Sequence, residues 1–137
     1  MLTVSQIAKR CHVTPETVRH YTKKGLLSPT KDPSNGYQLF DKNDVSRLKF
    51  IRQAKLLGYT LGEIEEILHH SMQTNSPCPI VREFIQRRIE HNRQKIKDLT
   101  ALQKRMETAL ADWETKPNGI PDGDSICHLI ESFSEEA

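Results

Sequence analysis

From Ile80 to Lys116 neither proline nor glycine interrupts the chain. Within that stretch Ile85, Ile89, Asn92, Ile96, Leu99, Gln103, Met106, Leu110 and Trp113 follow one another in alternating steps of four and three, and seven of these nine are apolar. The residues between them are mostly charged, Arg87, Arg88, Lys95, Lys97 and Glu107 among them. The spacing predicts one helix with a narrow apolar seam. At about 1.5 Å per residue it runs roughly 50 Å. A seam that narrow on a helix that long fits a second copy of itself, with Asn92 and Gln103 fixing register at some cost in stability. A monomeric bundle is the competing reading, but the chain before the helix is too small to cover it.

The 137 residues allow one ordinary domain, or a small domain with an oligomerisation arm. No apolar run is long enough to cross a membrane, and Met1–Gln6 leads straight into a patterned helix without a signal-peptide layout. The expectation is a cytoplasmic protein with no membrane partner. Three cysteines at wide spacing, Cys11, Cys78 and Cys127, fit reduced thiols rather than a disulfide framework. Charge is uneven. Residues 1–70 carry 11 Lys/Arg against 7 Asp/Glu, and residues 71–137 carry 9 against 11. A basic head points to a polyanion.

Thr3 or Ser5 is expected to cap a first helix that buries Val4, Ile7, Ala8 and Cys11. Thr14 with Pro15 opens a second helix carrying Val18 and Tyr21, which Gly25 ends. Two short helices around a three- or four-residue break form a helix-turn-helix pattern, whose second helix enters the major groove. Asp32-Pro33-Ser34-Asn35-Gly36 is a turn cluster, and Tyr37–Phe40 alternates as a returning strand, which together predict a hairpin wing. Asp41 or Asn43 caps a third helix with Val45, Leu48 and Ile51 inward. Thr60 with Glu63 forms a capping box for a fourth, with Ile64, Ile67 and Leu68 inward. The expected divisions are a winged helix-turn-helix head over 1–70, a linker over 71–79, a dimerisation helix over 80–116, and a loop with a short helix over 117–137. That short helix is expected over Ser125–Phe133, and the residues from Ser134 to Ala137 are expected to fray.

Thr17-Val18-Arg19-His20-Tyr21 with Gly25-Leu26-Leu27, Gly36-Tyr37-Gln38-Leu39-Phe40, Asp44-Val45 with Leu48, and Gly58-Tyr59-Thr60-Leu61 with Glu63-Ile64 occur in order. In these motifs, over residues 1 to about 113, the chain resembles the MerR family of transcriptional regulators. The resemblance implies an all-α, mainly helical fold: a winged helix-turn-helix head on a long helix that forms an antiparallel coiled-coil homodimer. It implies binding to double-stranded promoter DNA, and distortion of that DNA on effector binding so that RNA polymerase engages both promoter elements. By matching positions, Thr17, Arg19, His20 and Tyr21 lie on the recognition helix, Lys24 and Lys31 are phosphate contacts, and Tyr37 and Gln38 belong to the wing. Arg19 suits phosphate or guanine, and Tyr21 suits phosphate. The wing departs from the family pattern, which reads Gly-Tyr-Arg with a following Tyr, where this chain has Gly36-Tyr37-Gln38-Leu39-Phe40. His20 occupies a position where an aromatic residue is usual.

Cys78, in Ser76-Pro77-Cys78-Pro79, falls just before the long helix, whose positive end favours thiolates. Cys127 falls in the C-terminal segment beside His128. These are about where the zinc-, cadmium-, lead- and mercury-responsive branch of the family has its ligands. That branch also has Cys earlier in the loop, and Lys116–Pro121 here has none. Two thiolates suit a soft, low-coordinate ion such as mercury or monovalent copper. A third ligand from His128, Asp122 or Asp124 would suit zinc. Thiol or redox sensing, an organic ligand, or no effector are the alternatives. The chain has no Gly-rich phosphate loop, metalloprotease spacing or nucleophile motif, so an enzyme is not expected. A coiled-coil adaptor that binds protein through the winged head remains as the third reading.

Overall fold

The computed structural model describes residues 1–73 and 75–134. The chain divides into two units, Met1–Ile85 and Gln86–Ala137. The first holds α1 (Val4–Arg10), α2 (Pro15–Lys23), β1 (Thr30–Lys31), β2 (Gln38–Leu39), α3 (Lys42–Leu56), α4 (Leu61–Met72) and the opening turns of α5 (Cys78–Trp113). The second holds the rest of α5 and the short α6 (His128–Glu131).

Four helices of the first unit start on the caps that the sequence predicts. The side chains of Thr3, Thr14, Asp41 and Thr60 each accept a hydrogen bond from the backbone N–H three residues on. Between Thr3 or Ser5 it is Thr3 that caps, and between Asp41 or Asn43 it is Asp41. Three helices also end alike, with one residue in the left-handed region and the next folding back onto the last turn. Val13 N–H reaches Ala8 O at 3.0 Å, Leu26 N–H reaches Tyr21 O at 3.0 Å, and Tyr59 N–H reaches Ala54 O at 3.1 Å. The left-handed residues are His12 (φ 59°), Gly25 (φ 82°) and Gly58 (φ 92°). A histidine there carries a steric cost that glycine does not, about 1–2 kcal/mol. These shared ends set the corners of the helix-turn-helix and of the α3–α4 turn.

The apolar faces meet in one core. Ile7, Val18, Phe40, Leu48, Ile51 and Ile64 are fully buried, and Phe84 from α5 closes over the cluster. The wing is a two-rung antiparallel ladder pairing Thr30 with Leu39 and Lys31 with Gln38. Leu2 extends it by bridging Phe40 through two backbone bonds of 2.8 and 2.7 Å. At its tip the Asp32 carboxylate accepts from the N–H and hydroxyl of Ser34, which holds its pKa below the usual value.

The wing is anchored by one buried carboxylate. Asp44 is 2% exposed, and its Oδ1 accepts the N–H of Ser28 at 3.0 Å while Oδ2 accepts that of Asp41 at 3.2 Å. Ser28 stands where the chain leaves α2 for the wing, and Asp41 where it returns. Arg47, one turn further along α3, donates through Nε to the carbonyl of Leu26 at 2.8 Å. Recognition helix and wing therefore hang from the same face of α3.

Tyr59 makes a second tie. Its hydroxyl donates to the carbonyl of Val81 at 2.8 Å and so holds the opening of α5 to the α3–α4 turn. Burial, and after it the Glu63 carboxylate, push that hydroxyl's pKa up.

In the second unit the indole N–H of Trp113 donates to Leu129 O at 3.0 Å, and Lys116 Nζ reaches Asp112 and Ser132. Between α5 and α6 lies an apolar groove of about 290 Å³ lined by Leu102, Met106, Ala109, Trp113, Ile130 and Phe133.

Three sequence expectations change. The long helix spans Cys78–Trp113 rather than 80–116: Pro79 is tolerated in a first turn, where its missing N–H has no helical partner. The carbonyl of Pro77 accepts from Val81 N–H at 3.0 Å and begins the ladder. The connection before it is correspondingly shorter than 71–79, since α4 runs to Met72. The C-terminal helix is His128–Glu131, not Ser125–Phe133. Asp122 Oδ1 takes the N–H groups of Asp124 and Ser125, and Glu131 takes those of Ile126 and Cys127, which holds these residues in a turn. Of the frayed end expected at Ser134–Ala137, residues 135–137 lie outside the described residues. Among those residues no helix is long and apolar enough to cross a membrane.

Asp44→Ala is expected to cost about 2–4 kcal/mol in urea unfolding, because two buried N–H groups lose a charged acceptor. For Tyr59 the folded pKa is raised, so its contribution is complete below the unfolded value near 10 and fades as pH rises through the folded value. Tyr59→Phe therefore shows a shallower loss of stability on the alkaline side, read from unfolding curves between neutral pH and pH of about 11.

Candidate nucleic-acid interface

α2 presents two faces. Val18 and Tyr21 point into the core, while Glu16, Arg19, His20, Lys23 and Lys24 are exposed. The side chain of Thr22 bonds back to Val18 O at 2.8 Å and belongs to the helix itself. Thr14 and Thr17 lock together: Thr14 Oγ1 accepts the Thr17 N–H at 3.1 Å, and the two hydroxyls are 2.8 Å apart. Thr17, expected to face DNA, is thus half-buried and engaged as part of the cap. Tyr21 is 9% exposed, and burial pushes its hydroxyl pKa up. Its ring is a core member, which leaves the neutral hydroxyl as its only edge for a phosphate. The His20 ring lies outside it, with centroids 5.7 Å apart.

The structure brings three of the expected residues together. Arg19 from α2 and Tyr37 and Gln38 from the wing line one shallow cavity of about 370 Å³ with Thr3, Val4 and Ser5. Tyr37 is 65% exposed. Lys24 and Lys31 are exposed outside this cavity. The contribution of Thr3–Ser5 escaped sequence reasoning, because it follows from the Leu2–Phe40 bridge, a pairing between distant parts of the chain.

The expected metal ligands fall in different units, Cys78 in the first and Cys127 and His128 in the second. Cys78, exposed, is the first residue of α5 rather than two residues before it, and its N–H donates to Ser76 Oγ at 3.3 Å. Cys127 is half-buried and precedes α6. The His128 ring packs on Gly119, where an added Cβ would lie 2.3 Å from Nδ1. Asp122, a candidate third ligand, is already engaged as a turn acceptor. Among the described residues no group of three His, Cys, Asp or Glu side chains is placed to hold a metal ion. Cys11 is buried in the head, 4.0 Å from Val45 O, as expected of a structural cysteine.

A capped two-helix turn, an exposed basic recognition helix and a wing on the same face define a winged helix-turn-helix DNA-binding protein. Comparisons agree. Residues 2–71 match the family described as MerR HTH family regulatory protein, and residues 45–109 match that described as MerR, DNA binding. The mercuric resistance operon regulatory protein of Bacillus cereus is 30% identical over 135 residues, covering 97% of each chain. A transcriptional regulator MerR from Bacillus megaterium MB1, solved in complex with mercury(II), is 30% identical with TM-score 0.54, over 93% of this chain and 94% of that one. PbrR691 from Ralstonia metallidurans CH34, solved with lead(II), shares the fold at 24% identity with TM-score 0.74, over 98% and 100%. The chain belongs to the MerR family and is a DNA-binding transcription regulator, not an enzyme.

Arg19→Ala should weaken binding to the natural promoter site about tenfold or more and lower the salt slope of log K by about one. Equal affinity and slope in fluorescence-anisotropy titrations would remove Arg19 from the interface.

Proposed function

We propose that the chain acts as a homodimer whose two heads hold a near-palindromic promoter. A thiophilic metal ion then biases the dimer toward a state that distorts the DNA for RNA polymerase. The observation that carries the dimer is the seam of α5. Ile89, Ile96, Leu99, Met106 and Leu110 are 44 to 66% exposed along one stripe. Each such side chain gains about 1.5–3 kcal/mol on full burial, and a second α5 in antiparallel register offers that burial. In that register the end of one α5 meets the beginning of the other, so Cys78 of one protomer lies near the partner's Cys127 and the partner's His128.

The relatives named for mercury and the neighbour solved with lead(II) support a soft ion. Two thiolates with one imidazole suit mercury, lead, cadmium, zinc or monovalent copper. DNA contacts come from Arg19, His20 and the Tyr21 hydroxyl on α2, from Tyr37 and Gln38 on the wing, and from Lys24 and Lys31 on phosphates. Thr17 supports them by locking the first turn. Distorting a promoter costs about 1–6 kcal/mol. An ion that binds the distorting state roughly 100-fold better supplies about 2.7 kcal/mol of that. The apolar groove beside Trp113 and Phe133 favours a second reading, in which an organic ligand is the effector.

Titration of the anaerobically reduced protein with these ions against a chelator tests the metal. Tight binding that is lost in both Cys78→Ser and Cys127→Ser is expected. Equal binding by wild type and variants would retire the metal reading.

A further inference from the structure

Glu16 is the only acidic residue among residues 1–31, which carry six Lys/Arg. It sits in the first turn of α2, the end of a recognition helix that faces base edges in the major groove. It is exposed, and among the described residues no hydrogen bond or ion pair engages its carboxylate. The two hydroxyls of the same turn are not equally free, because Thr14 and Thr17 bond to each other. That leaves Glu16, with Arg19 one turn on, as the side chains at this end of the helix with unengaged polar groups.

A carboxylate in this place is repelled by every phosphate of the duplex. It can gain only from a hydrogen-bond donor. In the major groove the donors are the exocyclic amino groups of cytosine and adenine, and a carboxylate pairs best with cytosine N4. We infer that Glu16 is a specificity-determining residue of the recognition helix, accepting a hydrogen bond from the N4 amino group of a cytosine in each half-site. Its negative charge lowers affinity for DNA in general and restores it only where that cytosine is present. Glu16 and Arg19 then read complementary edges: an acceptor for cytosine beside a donor fork suited to guanine or phosphate. The inference rests on the assignment of α2 as the recognition helix. A Glu in a first turn also favours the helix dipole, a role that changes stability without changing base preference.

The test is selection from a library of duplexes with randomised sequence, using the full-length wild type, Glu16→Gln and Glu16→Ala. Anisotropy titrations then follow on the selected duplex and its single-base-pair variants. The wild type is expected to enrich a cytosine at a fixed place in each half-site. Replacing that base pair should weaken wild-type binding by roughly tenfold or more. Glu16→Gln is expected to shift the preference at that one place toward adenine, which a carboxamide pairs through N6 and N7. Glu16→Ala is expected to lose the preference there and to bind random-sequence DNA as well as or better than wild type. Identical base preferences in wild type and both variants would overturn the role of Glu16 while leaving the recognition helix in place. A wild type that enriches no sequence would overturn both.

Discussion

The head of this protein depends on one buried carboxylate. A wing of four strand residues and a recognition helix of nine are each too short to hold a position alone. Asp44 joins them by accepting N–H groups at both ends of the wing, while Arg47 fixes the carbonyl at the exit of α2. Burying a charge without partners is costly, so these bonds are under strong pressure to form together. The result is that Arg19 and the Tyr37–Gln38 strand line one cavity. DNA recognition needs such fixed spacing, because both elements must meet the same duplex at once.

The second constraint is the α5 seam. In a helix of 36 residues only Phe84 is fully buried, and between its opening turns and the contacts of Trp113 with the C-terminal segment most of its apolar stripe is exposed. Its apolar stripe is a surface that water disfavours, and the proposed homodimer would cover it with a second α5. Tyr59 joins the beginning of that helix to the α3–α4 turn through Val81. A change at the start of α5, where Cys78 stands, is therefore one hydrogen bond away from the head that holds the recognition helix.

Much of this was legible in the sequence because it is local. Caps at Thr3, Thr14, Asp41 and Thr60, the glycine ends at Gly25 and Gly58, and the four-three spacing of α5 all follow from neighbours within one or two turns. What escaped was set by distant contacts. Asp44 reads as an N-terminal helix acid, and nothing nearby reveals that it also holds Ser28. The apolar spacing of Ile126, Leu129, Ile130 and Phe133 suggested a longer helix, which the Asp122 and Glu131 carboxylates prevent by holding the preceding N–H groups in a turn. Cys78 and Cys127 could be named as candidate ligands from their places at the start of α5 and before α6, but the spacing of one chain says nothing of what stands beside either thiol.

The most direct test of the whole account is a hydroxyl-radical footprint of the full-length protein on the DNA upstream of its own gene, with stoichiometry measured on the same complex. The account predicts two protected patches on one face of the duplex, related by a dyad and bound by two protein chains. A single protected patch bound by one chain would contradict it, as would no protection at protein concentrations where the chain is folded.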